Sequence, residues 1–322
     1  MRVEQKDYVQ EVRRLAGEYN RYIRLKLEGD DGELAKSLTG YPAELDEMHC
    51  RSLEEQKKRW FFRENEKASG NPQDTMGAEE LRLLDNTEFA LELNCTSLYE
   101  EYLRQPLQAF LASYWQKNYL THSYFAGRIP DRFYIGNQFC HNLFPTEEQL
   151  FSIMDKMYSE GSEITLVFSY IREFMLLSVG KLLEKVDNWC CIHGVNVEIV
   201  VNDWAMVEML CGKTSRLHSV LGTLLNKRKK DPRISYKTGD QELFKENSLN
   251  AQFYRNFLRN TYGICRFEWE TCGYTQLLPI GKNSLHIPFY QTNTSQYCPL
   301  FAVCANGERG RQKLAKNCPK YC

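Results

Sequence analysis

The spacing of apolar residues changes character near residue 130. Before that point the chain is mainly helical in period and strongly charged, with apolar residues three and four apart over residues 1 to about 64. Two short exceptions alternate apolar and polar residues and predict strands, at 22–28 (Tyr-Ile-Arg-Leu-Lys-Leu-Glu) and 89–94 (Phe-Ala-Leu-Glu-Leu-Asn). Gly29 to Gly32 reads as a turn, and the polar stretch 65–79, where Gly, Pro, Asn and Ser are grouped, predicts a linker. Leu98 to Lys117 predicts one aromatic-rich helix. Beyond residue 130, short β-rich runs alternate with helical segments. The runs are 133–136, 164–169, 197–202, 218–222, 263–267 and 283–288.

Strands that alternate with helices specify parallel pairing, because a parallel neighbour needs a crossover long enough to hold a helix. Six such units, each ending in polar or small residues, predict an α/β fold of the TIM-like βα barrel type. Six strands are two short of eight, so the candidates at 22–28 and 89–94 are expected to complete the sheet, which makes the barrel permuted or incomplete. The expected organisation is a mainly helical N-terminal region, 1–129, that contributes barrel strands, followed by the barrel region, 130–322. A doubly wound open sheet is the other reading of the pattern. The chain has no Gly-x-Gly-x-x-Gly or phosphate-loop motif to support nucleotide binding.

Composition narrows the class. Of 322 residues, 43% are hydrophobic and 26% charged, which is ordinary globular usage. With 41 basic and 42 acidic residues the net charge is −1, so no global field draws the protein to nucleic acid or an anionic membrane. The start of the chain lacks an apolar signal core, and the most apolar stretch, Ile164 to Leu183, is interrupted by Arg172, Glu173 and Lys181, so no membrane span and a cytoplasmic location are expected.

Twelve cysteines in such a chain point to metal or redox chemistry more than to disulfides. They crowd at the C-terminal end, as Cys298-Pro-Leu-Phe-Ala-Val-Cys304 and Cys318-Pro-Lys-Tyr-Cys322. Thiolates are soft ligands suited to zinc, copper(I) and iron–sulfur clusters, and a Cys-x3-Cys pair can put two sulfurs on one ion or one cluster face. Cys190, Cys191, Cys211 and Cys265 lie within helix or strand patterns and read as packing residues. Cys50, Cys95 and Cys272 have no assignment.

Tyr134-Ile-Gly-Asn-Gln-Phe-Cys140 places another cysteine just past the first run. With Val200-Val-Asn-Asp-Trp204, Leu221-Gly-Thr-Leu-Leu-Asn226 and the terminal cysteine pair, residues 130–322 resemble the collagenase-like peptidase family, and within it the iron–sulfur UbiU/UbiV-type proteins. The resemblance implies a [4Fe-4S] cluster held by Cys140, Cys298, Cys318 and Cys322, with Cys304 as a substitute for Cys298, because the gap from Cys298 to Cys318 is longer than expected of the nearest relatives. It also implies a part in oxygen-independent hydroxylation of an aromatic or nucleobase substrate, on a small molecule or RNA, with Asn202, Asp203, Asn226 and Glu268 around that substrate. Relatives continue into further strands, another reason to expect an incomplete barrel.

Bland readings stand beside these. Asp203 is also a good helix cap, Asn226 also ends a strand, and which of Glu268 and Glu270 points inward depends on register. His286 reads more readily as a satisfied core histidine than as a catalyst. The basic run 227–233 reads as a solvated loop or as an anion contact. No Ser-His-Asp or Cys-His arrangement supports peptidase chemistry. The alternative function is a non-catalytic iron–sulfur or zinc protein acting in redox sensing, electron transfer or partner binding, with a protein partner met through the N-terminal region.

Overall fold

The structure is a computed structural model that describes residues 77–118, 120–121, 123–212, 214–227, 245–271, 275–287, 297–307 and 314–322. The strand expected at 22–28 lies outside these residues, as does most of the expected linker. Two compact units are distinguished. Of the described residues, those within 77–87 and 111–129 belong to one, and those within 88–110, 130–227 and 245–322 to the other. In the first, helix α1 (Ala78–Asp85) begins inside the stretch read as linker.

The second unit holds seven strands: β1 (Ala90–Leu93), β2 (Arg132–Gly136), β3 (Glu163–Val167), β4 (Val197–Val201), β5 (Leu217–Leu221), β6 (Arg266–Glu270) and β7 (Lys282–His286). All pairs are parallel and the spatial order is the chain order. A doubly wound sheet would reverse its order at a switch point. Sequential order without reversal puts every crossover on one face and lets the sheet curl. Side-chain contacts demonstrate the curl. Strand β2 is four places from β6, about 19 Å in a flat sheet at roughly 4.8 Å per strand. Yet the Tyr134 hydroxyl donates to Glu268 Oε1 at 3.0 Å. The result is a seven-stranded half-barrel with helices outside.

Register assigns the two faces. Phe133, Ile135, Ile164, Leu166, Val197, Ile199, Val201, Phe267 and Trp269 point outward and are buried under the helices. These include α4 (Glu147–Ser159) on β3 and α6 (Trp204–Leu210) on β4 and β5. On the concave face Tyr134, Val167, Val200 and Val220 pack together with Ala90. Helix α5 (Leu176–His193) and helix α7 (Gln252–Tyr262) each end on a left-handed glycine, Gly194 and Gly263. Gly263 explains one shift from expectation. The run read as a strand from 263 begins with this cap, so β6 starts three residues later, at Arg266.

The aromatic helix expected over 98–117 is two helices, α2 (Thr96–Arg104) and α3 (Leu107–Lys117). Pro106 cannot donate a backbone hydrogen bond and biases Gln105 to extended geometry, φ −118 and ψ 148. The β5–β6 junction is the weakest in the sheet, paired only at Leu221 and Phe267. The Asn226 amide bridges this gap by donating to the Glu268 carbonyl at 3.4 Å. No helix among the described residues is long and apolar enough to cross a membrane.

Candidate metal centre

Gly136 closes β2 with φ 121, a conformation that side chains rarely adopt, and a Cβ there would lie 2.1 Å from the Val167 carbonyl oxygen. The chain therefore leaves the sheet abruptly into Asn137-Gln-Phe-Cys140. Asn137 fixes that loop: its Oδ1 accepts from the amides of Phe139 and Cys140, both at 2.9 Å, and its Nδ2 donates to the Asn94 carbonyl past β1 at 3.1 Å. A one-turn helix, His141–Leu143, follows, and its last carbonyl accepts from the Tyr99 hydroxyl at 3.0 Å.

The C-terminal segment reaches the same place by two ties. Asn142 Nδ2 donates to the Ala315 carbonyl at 3.0 Å, and Lys320 Nζ donates to Thr96 Oγ1 at the start of α2 at 2.9 Å. The outcome is one pocket lined by Cys140, Cys298, Cys318 and Cys322, with Leu300, Phe301 and Tyr321 as its main apolar walls. Its empty space is about 340 Å³, part of it open to solvent.

Backbone amides point at the sulfurs. Cys298 caps helix α8 (Pro299–Asn306) and its Sγ accepts from Phe301 N at 3.4 Å, with Pro299 at the first helical position. Lys320, the single non-glycine residue with positive φ (63) among the described residues, gives its amide to Cys318 Sγ at 3.3 Å. Burial pushes the Cys140 thiol up, the Asn142 and Leu143 amides act in the opposite sense, and Cys322 and Cys298 are near enough to add to the rise. Cys304 sits exposed on α8 and outside the pocket lining. Cys190 is buried in α5; Cys191, Cys211 and Cys265 are exposed. Cys50 and Cys272 lie outside the described residues.

Among the described residues no three His, Cys, Asp or Glu side chains converge on a position that could hold a single metal ion. A cubane cluster presents separate irons to separate thiolates, and ligand sulfurs around it stand roughly 6–7 Å apart. Four thiols facing one pocket, with amides directed at three of them, fit the donor set of such a cluster.

The other four candidates lie elsewhere in this unit, outside the pocket lining. Asn202 is buried, its Nδ2 donating to the Phe168 carbonyl at 2.8 Å and its Oδ1 accepting from Leu224 N at 3.3 Å. Asp203 caps α6 through Met206 N at 2.9 Å and holds Ile171 N at 2.5 Å. Asn226 is buried, and its Oδ1 has no hydrogen-bond partner among the described residues. Glu268 points to the concave face, as do Arg266 and Glu270 two residues to either side, and it is fully buried. It pairs with His286 Nε2 at 2.6 Å. Burial alone would lower the His286 pKa, but the Glu268 hydrogen bond and charge, reinforced by Glu92 and Glu270, raise it above 6.5. Around this pair, Arg266 donates to the Tyr134 hydroxyl at 3.1 Å and to Ser284 Oγ at 2.8 Å. Arg266 and Arg132 both reach Glu198 Oε2 at 3.0 Å. Past the ends of β2 and β5, Thr223 Oγ1 donates to Gln138 Oε1 at 2.7 Å, and both residues are buried.

Sequence reasoning missed Asn137, Asn142 and Lys320, which hold the cysteine loops. Only Asn137 carried a signal, as the Gly-Asn turn after a strand. Comparison of the chain with protein-family models, curated proteins and solved structures finds no match.

Proposed function

We propose that this chain is an iron–sulfur protein built on an incomplete βα barrel, with a [4Fe-4S] cluster held by Cys140, Cys298, Cys318 and Cys322. The observation that carries the reading is the shared pocket: Cys140 is 158 residues before Cys298 in the chain, yet it lines the same cavity as the three C-terminal cysteines. Four exposed or half-buried thiols on one pocket have no packing rationale, since buried cysteine serves packing and these are not buried. When bound, such a cluster supplies one-electron chemistry. The chain's own residues anchor the sulfurs from separate elements and direct amides at them, which is how hydrogen bonding tunes a cluster's potential.

The resemblance extends this reading to oxygen-independent hydroxylation of an aromatic or nucleobase substrate. One observation favours the alternative, a non-catalytic redox or electron-transfer role. Asn202 and Asp203 are both engaged with backbone groups of the protein itself. The test is anaerobic purification, followed by visible absorption and by iron, sulfide and zinc analysis. A brown protein with equal iron and sulfide is expected, and Ser at any of the four cysteines should remove the colour, whereas Cys304→Ser and Cys265→Ser should retain it. Stoichiometric zinc in a colourless protein would overturn the assignment.

A further inference from the structure

The mouth of the cysteine pocket has an unusual surface. Leu300 (42% exposed), Val303 (43%) and Tyr321 (46%) stand open to solvent around it, although large apolar side chains normally turn inward. Just outside this apolar centre the charge is basic. Lys316 lies over the Phe174 ring at 5.5 Å, Lys320 binds a neutral hydroxyl, and neither is paired with a carboxylate among the described residues. Residues 297–322 contain Arg309, Arg311, Lys313, Lys316 and Lys320 against Glu308 alone, a net +4 in a chain whose total is −1. The segment that carries three of the four pocket cysteines is therefore net basic.

We propose that this rim is the docking surface for an acidic one-electron carrier protein, with Leu300, Val303 and Tyr321 as its apolar centre and Lys316 and Lys320 as its charged border. The proposal rests on the iron–sulfur reading above and names its partner. Short-lived redox complexes bury little area and form through complementary charge around a small apolar contact. A cluster in this pocket lies at the surface, where electron transfer needs no channel. In the step itself the reduced carrier loses one electron and the oxidised cluster gains it. No bond breaks and no proton moves.

The test uses the full chain purified anaerobically, with a bacterial ferredoxin and a flavodoxin as acidic carrier probes. Binding is followed by titration at about 20 and 200 mM salt, beside a single-stranded RNA oligonucleotide. The carriers should bind, more weakly at the higher salt. Lys316→Glu should weaken binding about tenfold, and Val303→Ser several-fold; neither residue lines the pocket, so iron and sulfide content should be unchanged. Stopped-flow mixing with reduced flavodoxin should show the same order of effects on the rate. Absence of carrier binding, insensitivity to Lys316→Glu, or preference for RNA or a second copy of the chain would overturn the proposal. Iron and sulfide content reads the cluster assignment independently, so failure of one is distinguishable from failure of the other.

Discussion

Replacing Glu268 by Gln keeps the shape of a fully buried side chain and removes only its charge. In the native protein Glu268 accepts from the Tyr134 hydroxyl at 3.0 Å and from His286 at 2.6 Å. A glutamine still accepts from Tyr134, so the loss falls on the bond to His286. A hydrogen bond to a charged group is worth about 1.5–3 kcal/mol. The His286 pKa is raised in the folded protein, so the pair contributes its full stability below the unfolded value, near 6.5, and loses it as pH rises through the folded value. Glu92 titrates in the same sense: burial raises its pKa and Glu268 adds to the rise, while His286 acts against it. Native stability should therefore fall as the solution is made alkaline. Thermal unfolding under anaerobic conditions, read from tryptophan emission, gives the assay, because Trp269 is buried on the same strand. In a unit of about 200 residues, 1.5–3 kcal/mol corresponds to roughly 3–12 °C in Tm. E268Q should show that deficit at pH 5.5, and the deficit should shrink steadily towards pH 9.5 with a flatter pH profile than the native protein. A deficit that is constant or grows with pH would refute the ion pair as its source.

Gly136→Ala places a Cβ against the Val167 carbonyl and forces a left-handed alanine, about 1–3 kcal/mol from conformation alone before the clash is added; circular dichroism should show a lower Tm or the protein should be insoluble, and a native-like Tm would contradict the geometry. Asp203→Ala removes a helix cap and the anchor of Ile171, an expected loss of about 1–3 kcal/mol by denaturant unfolding that Asp203→Asn should partly restore. Thr223→Val leaves the buried Gln138 oxygen with one partner fewer, at about 1–3 kcal/mol, and should raise amide exchange in the loop before Cys140.

Period and punctuation made much of this molecule legible from its residues. The runs that became β2 to β5 are short, apolar and bounded by polar or glycine residues, signals that depend only on local chemistry, and the alternating helices required parallel pairing. The strand at Ala90–Leu93 was legible for the same reason. The cysteines announced themselves by crowding into the last 25 residues. What no local pattern contained was distance. Whether β2 faces β6 depends on how far the sheet curls, and that curl sets Tyr134, Glu268 and His286 together inside it. The break at Pro106 was written in the chain but hidden by strong helical periodicity on both sides. The meeting of Cys140 with Cys298, Cys318 and Cys322 was expected through a family resemblance, whereas the ties that hold it depend on tertiary structure. Asn137, Asn142 and Lys320 each reach across by a hydrogen bond to a backbone or hydroxyl group 43 to 224 residues away in the chain. Residue chemistry limits which groups can bond, but only the folded backbone brings donor and acceptor within hydrogen-bond reach, so the elements were determined locally and the pocket was decided by the fold.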